Sequence, residues 1–246
     1  MEMNLKKLSI FFVFIATTFT SAFSESKDIP SSARSRAAID RVKPKLQKEY
    51  SRSGFNWGTP VFIRIFKKTK ELEIWLRDRN NFKLFKTYKI CTYGWRSLGP
   101  KVRRGDGRAP EGFYYVLPRQ MNPLSKYHLS FNLGYPNKYD RIHGRTGSAL
   151  MVHGKCVSIG CYAMTDKVIE EIYAVADASL RKGQRFFRVH IFPFHMTDKN
   201  VNRYKNSEWY NFWKNLKEGY DFFEKNGHNP PSVEVKNKRY VFEPSI

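Results

Sequence analysis

Apolar and polar positions alternate with a period of two along three successive runs, PVFIRIFKK, ELEIWLRD and FKLFKTYKI, between Pro60 and Ile90. Such alternation lays one strand face against a core, and the short polar turns between the runs predict an antiparallel meander. Ahead of them, SSARSRAAIDRVKPKLQKEYS carries apolar residues at helical spacing. It predicts a basic amphipathic helix interrupted near Pro44, part of an N-terminal arm over residues 25–54. From Cys91 to about Pro123 apolar density drops while glycine, proline and charge accumulate, as in GWRSLGPKVRRGDGRAPEG and RQMNP. Long loops over a scaffold are expected there, where substrate contacts tend to lie. GFYYVL, HLSFNLG and SALMVH are shorter strand candidates.

DKVIEEIYAVADASLRKG places Val168, Ile169, Ile172, Tyr173, Ala176 and Leu180 on one helical face, behind Thr165 and Asp166 as caps and closed by Gly183. RFFRVHIFPF follows as a strand. SEWYNFWKNLKEGYDFFEK then aligns Trp209, Phe212, Trp213, Leu216, Tyr220 and Phe223 in a stripe expected to face a core. PPSVEVKNKRYVF reads as a hairpin. There is no internal repeat, and no linker long enough to force a second domain. The pattern therefore predicts an α+β chain with a mainly-β core and flanking helices, residues 55–246 forming one unit that ends in a helix and a hairpin.

The first residues change this picture. Lys6 and Lys7 precede an apolar run from Leu8 to about Ala16 and then small residues, the pattern of a secretory signal peptide over residues 1–24. Cleavage is expected after Ala22 or Ser24, an uncleaved anchor being the alternative. The formal net charge of +22 implies anionic partners, screened by salt. No aromatic-basic RNA motif, helix-turn-helix or zinc-finger spacing is present, so nucleic acid is not expected as a partner. Wall polymer rich in carboxylates suits an exported chain better, with peripheral contact to an anionic membrane as a second reading and plain solubility as the bland one. Three cysteines, Cys91, Cys156 and Cys161, are an odd number, so one stays free or pairs outside the chain. Either Cys91 and Cys156 bridge and leave Cys161 reduced, or all three are thiols.

The chemistry concentrates in VHGKCVSIGCYAM, residues 152–164. SALMVH ends at His153 and the next helix begins near Thr165, which places Cys161 in a glycine-flanked turn from strand to helix. Backbone amides there, reinforced by the helix N-terminus, are expected to lower the thiol pKa. A histidine in reach can take the proton and return it to a leaving amine. The amides of Gly160, Cys161 or Tyr162 could hold an oxyanion, and Gly160 would let a carbonyl approach closely.

The signature H-G-x-x-x-S-x-G-C-x-A-M, formed by His153, Gly154, Ser158, Gly160, Cys161, Ala163 and Met164, resembles the active site of the YkuD-type L,D-transpeptidases, in the YafK-like branch with a short histidine-to-cysteine loop. VFIRIFKK, LGPKVRRGDGRAPEGFYYV, MNPLSKYHLSFNLGYPNKYDR and HGRTGSALMVHG extend the resemblance over about residues 40–241. The resemblance implies a mainly-β sandwich and a periplasmic enzyme of a Gram-negative bacterium acting on peptidoglycan stem peptides at meso-diaminopimelate. Cys161 would be the nucleophile and His153 the general acid/base. The acyl-enzyme would pass to an amine, giving a cross-link or lipoprotein attachment, or to water, including release of a wall-linked lipoprotein. No metal or organic cofactor is implied.

Two departures matter. The wider family carries S-[H/R]-G-C-[I/V]-R, whereas Ile159 and Ala163 stand at the basic positions here. Losing that guanidinium removes a clamp for a substrate carboxylate, and Arg141, Arg145 and Lys155 are the candidate replacements. His143, with Gly144, lies eighteen positions before Cys161 and His153 eight before; His153 is the expected base because MVHG runs directly into the nucleophile turn, leaving His143 as a substrate contact. Gly154 and Tyr162 are expected beside the substrate, Ser158 is expected to orient the turn or the imidazole, and His190 is expected to be a satisfied strand histidine. Two other classes compete. One is a metal site built from His143, His153, Cys156 and Cys161, although H-x2-C-x4-C matches no common zinc spacing. The other is a non-catalytic wall-binding module, which would have no need of a thiol.

Overall fold

The computed structural model describes residues 29–95 and 98–245; the expected signal peptide at 1–24 lies outside them. The elements run α1 (Ala33–Arg52), β1 (Val61–Phe66), β2 (Glu71–Asp78), β3 (Asn81–Lys89), β4 (Gly112–Val116), β5 (Met121–Asn122), β6 (Ser130–Asn132), α2 (Lys138–Ile142), β7 (Met151–His153), β8 (Tyr162–Ala163), α3 (Asp166–Arg181), β9 (Phe187–Phe192), α4 (Asp198–Arg203), α5 (Tyr210–Lys225), β10 (Ser232–Lys236) and β11 (Arg239–Glu243).

The three alternating runs form the expected meander, extended by two later strands into the order β3-β2-β1-β9-β4. β9 enters parallel to β1 and antiparallel to β4. A second sheet has the order β5-β6-β7-β8. β1 is buried along its whole length because both its faces are covered. Ile63 and Ile65 point into a core shared with Phe131, Val152 and Tyr162 of the second sheet, Ile169 and Ile172 of α3, and Leu46 and Tyr50 of α1. Phe66 points the other way, beneath Trp213 and Leu216 of α5. Each of these side chains contributes about 1.5–3 kcal/mol on burial, so the strand is stabilised from both faces. The result is an α+β fold, two sheets around a core with helices against them.

α1 is continuous through Pro44, where an interruption was expected. Proline there removes the bond to the carbonyl of Asp40, but both residues are exposed, so water can serve that carbonyl, while Ala38, Leu46 and Tyr50 anchor the buried face. On α5, Gly219 is required by contact: a Cβ would come within 2.4 Å of Phe242 and 2.6 Å of Phe113. The hairpin β10–β11 therefore closes directly onto that helix.

One buried pair fixes the loops that matter for function. Lys67, at the end of β1, donates to the carbonyls of Gly99 (2.7 Å) and Ala109 (3.2 Å) and to Glu111 (2.8 Å). The other oxygen of Glu111 accepts from Trp213 Nε1 at 2.7 Å. Burial pulls the Lys67 amine down and Glu111 opposes the pull. Removing either partner would strand a charge in the interior.

Candidate active site

His153 and Cys161 are brought together by a parallel strand pair. β7 and β8 match Val152 with Tyr162 and His153 with Ala163, so Cys161, one residue before β8, falls opposite Met151. Alternation puts Met151, His153, Cys161 and Ala163 on one face. From a strand spacing of about 4.8 Å and a rise of about 3.3 Å per residue, the two backbones lie about 8 Å apart along a diagonal, within side-chain reach.

Parallel strands usually need a crossover of about a dozen residues or more, and here 154–161 must suffice. The turn is compressed by placing Lys155 (φ 64°) and Cys156 (φ 55°) in the left-handed region, which is costly for residues with a Cβ. Several contacts hold it there. Asp166 at the start of α3 accepts the Lys155 amide at 2.7 Å, and the Cys156 amide donates to the Met164 carbonyl at 2.9 Å. Cys156 is bonded to Cys91, with 5.3 Å between their Cα atoms, and the Cys91 amide donates to the Ala163 carbonyl at 2.9 Å. A Cβ on Gly154 would lie 2.5 Å from Asp166 Oδ1 and 2.9 Å from the Tyr127 carbonyl, so that residue serves the packing of the turn. The bridge leaves Cys161 as the free thiol among the described cysteines.

Cys161 is partly exposed. Its thiol lies 3.7 Å from the Ala149 carbonyl, to which it donates. Burial pushes the thiol above its ordinary range, opposed by the Met151 amide and the charge of Lys101. The lowered pKa expected from a helix N-terminus is therefore not found: β8 and the cap Thr165 separate the sulfur from α3. His153 is 2% exposed. Its Nδ1 is 2.7 Å from the Gly154 carbonyl, a contact that favours a proton on Nδ1 and leaves Nε2 as the basic nitrogen. Burial holds its pKa below the usual value, with the Gly154 carbonyl opposing, and Tyr127 covers the ring at 4.5 Å. Among the described residues no hydrogen bond joins the imidazole to the thiol. Both groups rest neutral, an arrangement suited to proton transfer during attack and not to a standing thiolate.

Ser158 organises the turn that carries Cys161. Its Oγ accepts the amides of Gly160 (3.0 Å) and Cys161 (2.7 Å) and donates to the Cys161 carbonyl at 2.7 Å. Two of the amides expected to hold an oxyanion are thus engaged. Gly160 adopts φ 155°, and a Cβ there would sit 3.0 Å from the Arg108 carbonyl, so its close approach is to protein backbone.

The other expected contacts have bonds of their own or stand exposed. Tyr162 is buried and donates to the Pro110 carbonyl at 2.6 Å. Arg145 is buried against Asp140 at 2.8 Å, with Phe212 under its guanidinium, and is not free to clamp a substrate carboxylate. Arg141 is exposed and donates to the Pro136 carbonyl. His143 caps α2 and stacks on Tyr139 at 4.0 Å, its Nδ1 2.9 Å from that residue's carbonyl. Lys155 is exposed. His190 lies on a strand as expected, but its Nδ1 is buried without a hydrogen-bond partner among the described residues. The bridge takes Cys156 out of the imagined metal donor set.

Lys101 and Asp106 were not singled out in the sequence. Lys101, whose charge reaches the thiol, donates to Asp106 at 2.7 Å. The same carboxylate accepts the amides of Val102, Arg103 and Arg108; burial pushes its pKa up, but Lys101 and these amides together bring it below the usual value. An acid amid KVRRGDGR was the available signal. Val157 and Ile159, 56% and 81% exposed, form an apolar rim beside the turn.

The L,D-transpeptidase catalytic domain, YkuD, matches residues 60–191. The YafK protein of Escherichia coli K12, which carries an L,D-transpeptidase name, is 47% identical over 196 residues, covering 80% of this chain and 78% of its own. Among solved structures, the helical cell shape determining protein Pgp2 of Campylobacter jejuni aligns with a TM-score of 0.45 at 17% identity, covering 76% of each chain. Bd1075 of Bdellovibrio bacteriovorus aligns at 0.41 and 18%, covering 73% of this chain and 78% of its own. These last two likenesses are too slight to carry an argument. The family match spans both sheets, the histidine and the cysteine, and with the 47% relative it places this chain in the YkuD family of L,D-transpeptidase catalytic domains.

Proposed function

We propose that this chain is an exported cysteine enzyme that acts on peptidoglycan stem peptides at the diaminopimelate carbonyl through an acyl-enzyme on Cys161. The observation that carries the reading is the free Cys161 on the same face of the β7–β8 pair as His153, with the other two cysteines bridged. The steps follow from the site. The Cys161 sulfur attacks the carbonyl as its proton passes to Nε2 of His153, and the Gly154 carbonyl steadies the imidazolium through Nδ1. The tetrahedral intermediate collapses to a thioester, and the imidazolium gives its proton to the departing amine. An incoming amine or water then attacks the thioester, losing its proton to His153, and the thiol is released.

An amine acceptor yields a cross-link or an attached lipoprotein, and water yields cleavage, including lipoprotein release. The engaged guanidinium of Arg145 and the absence of an arginine at position 163 leave the family's carboxylate clamp unfilled, which favours a different fate for the acyl-enzyme, with water as acceptor. The compartment that fits is the periplasm of a Gram-negative bacterium.

The test is acylation of the mature chain by defined tripeptide, tetrapeptide and lipoprotein-linked muropeptides, with and without an amine acceptor, followed by mass spectrometry. Cys161→Ala should abolish thioester and product; turnover surviving that change ends the proposal. His153→Ala should abolish acylation while His143→Ala retains it. The reverse pattern would transfer the base to His143.

A further inference from the structure

The face of the five-stranded sheet beneath α5 is not covered along its whole length. At the end where β1 and β9 begin, a cleft of about 410 Å3 is lined by Arg77, Lys182, Arg185 and Arg188. It is contiguous through Arg188 and Phe186 with a second cleft of about 270 Å3 that adds Lys138 and His190. No carboxylate lines either one. In a chain with 44 basic and 22 acidic side chains an unpaired cation on open surface is ordinary, because water solvates it. Arg188 is different. It is half-buried on β9, where its backbone pairs with Tyr115, but its guanidinium has no ion pair or hydrogen bond among the described residues; the ring of Phe186 lies 5.3 Å away. Burial and the neighbouring Arg77 both disfavour its charge. Next to it, His190 is 1% exposed with an unpartnered Nδ1. A desolvated cation and an orphaned ring nitrogen in one groove are costly unless something anionic and hydrogen-bonding fills it. Aromatic surface completes the groove: Tyr115 is 56% exposed, its ring 5.6 Å from that of Phe186.

We infer that this groove is an exosite for a carboxylate-bearing glycan-peptide polymer, with rings for sugar faces and guanidinium groups for carboxylates. It is separate from Cys161. Lys67 at the far end of β1 bonds the loops around the nucleophile, whereas Val61 at the near end lines the groove. Naming the polymer as wall glycan rests on the function proposed above; the groove's preference for carboxylates does not.

The experiment uses the full mature chain carrying Cys161→Ala, so that no substrate is consumed, and measures co-sedimentation with purified sacculi. Replacing Arg77, Arg185 and Arg188 by glutamine should weaken binding about tenfold or more, as loss of charge-assisted contacts requires. Removing equal charge at exposed Lys48, Lys199 and Lys205 should leave binding within about twofold. Amidating the carboxyl groups of the sacculi should erase the difference between the two variants. Equal losses from both variants, or no loss from the arginine set, overturn the inference. So does a groove-dependent affinity for vesicles of anionic phospholipid that exceeds the affinity for sacculi. Should Arg188→Gln lower the thermal midpoint, Arg77→Gln with Arg185→Gln, both at exposed positions, carries the comparison. Turnover of a soluble stem peptide by the unmodified chain reports separately on the acyl-transfer reading.

Discussion

One hydroxyl, that of Ser158, satisfies two amides of the turn at Cys161 and braces the carbonyl of that residue. Ser158→Ala should leave those amides unpaired at a cost of about 1–3 kcal/mol, and single-turnover acylation should fall about 10- to 100-fold with the disulfide intact. A rate unchanged by the substitution would show that the turn keeps its shape without the serine. The paired groups also set the pH response. His153 is held below 6.5 and the thiol above 9.0, so acylation should be level between those values and decline only below 6.5, as the imidazole takes a proton before attack. An acid limb centred above 6.5 would contradict this environment. Stability follows the same sign: His153 and His190 both titrate lower in the folded chain than in the unfolded one. Protons therefore favour the unfolded state, and the contribution of these residues, complete above pH 6.5, is lost as pH falls. Residue identities were readable in the motif, but their partners were less so. Arg145 and Tyr162 looked like substrate contacts because Asp140 and the Pro110 carbonyl, which engage them, meet them only after folding.

The long elements were legible because their periodicity is strong. The meander, α3 with its Thr165 cap, the aromatic stripe of α5 and the terminal hairpin all appear where apolar spacing puts them. Of the short elements, GFYYVL, HLSFNLG and SALMVH form strands as β4, β6 and β7, whereas β5 and β8 carry no readable pattern. β8 holds two residues, too few for a period, and exists because β7 adds to β6 and offers it an edge while Thr92 and the bridge at Cys91 hold the other side. That bridge closes a separation of 65 residues, for which loop entropy gives a stabilisation of about 4 kcal/mol. Replacing both Cys91 and Cys156 by alanine should lower the unfolding free energy by that order. It should also slow acylation, since Cys156 then relies on its amide bond to Met164 to stay left-handed. Denaturant titration with a thioester assay checks both, and a stability loss with full activity would show that the turn keeps its shape without the bridge.

Across the whole molecule, β1 and β9 run side by side from the basic groove towards the loops held by Lys67. Six residues of extended chain in β1 measure about 20 Å, and packing on both faces makes that span a fixed gauge. A fragment shorter than the gauge touches one end at a time, so it gains nothing from the second contact. Turnover per unit concentration should consequently climb with polymer length until the gauge is bridged, then level off, a staircase readable from size-fractionated wall fragments.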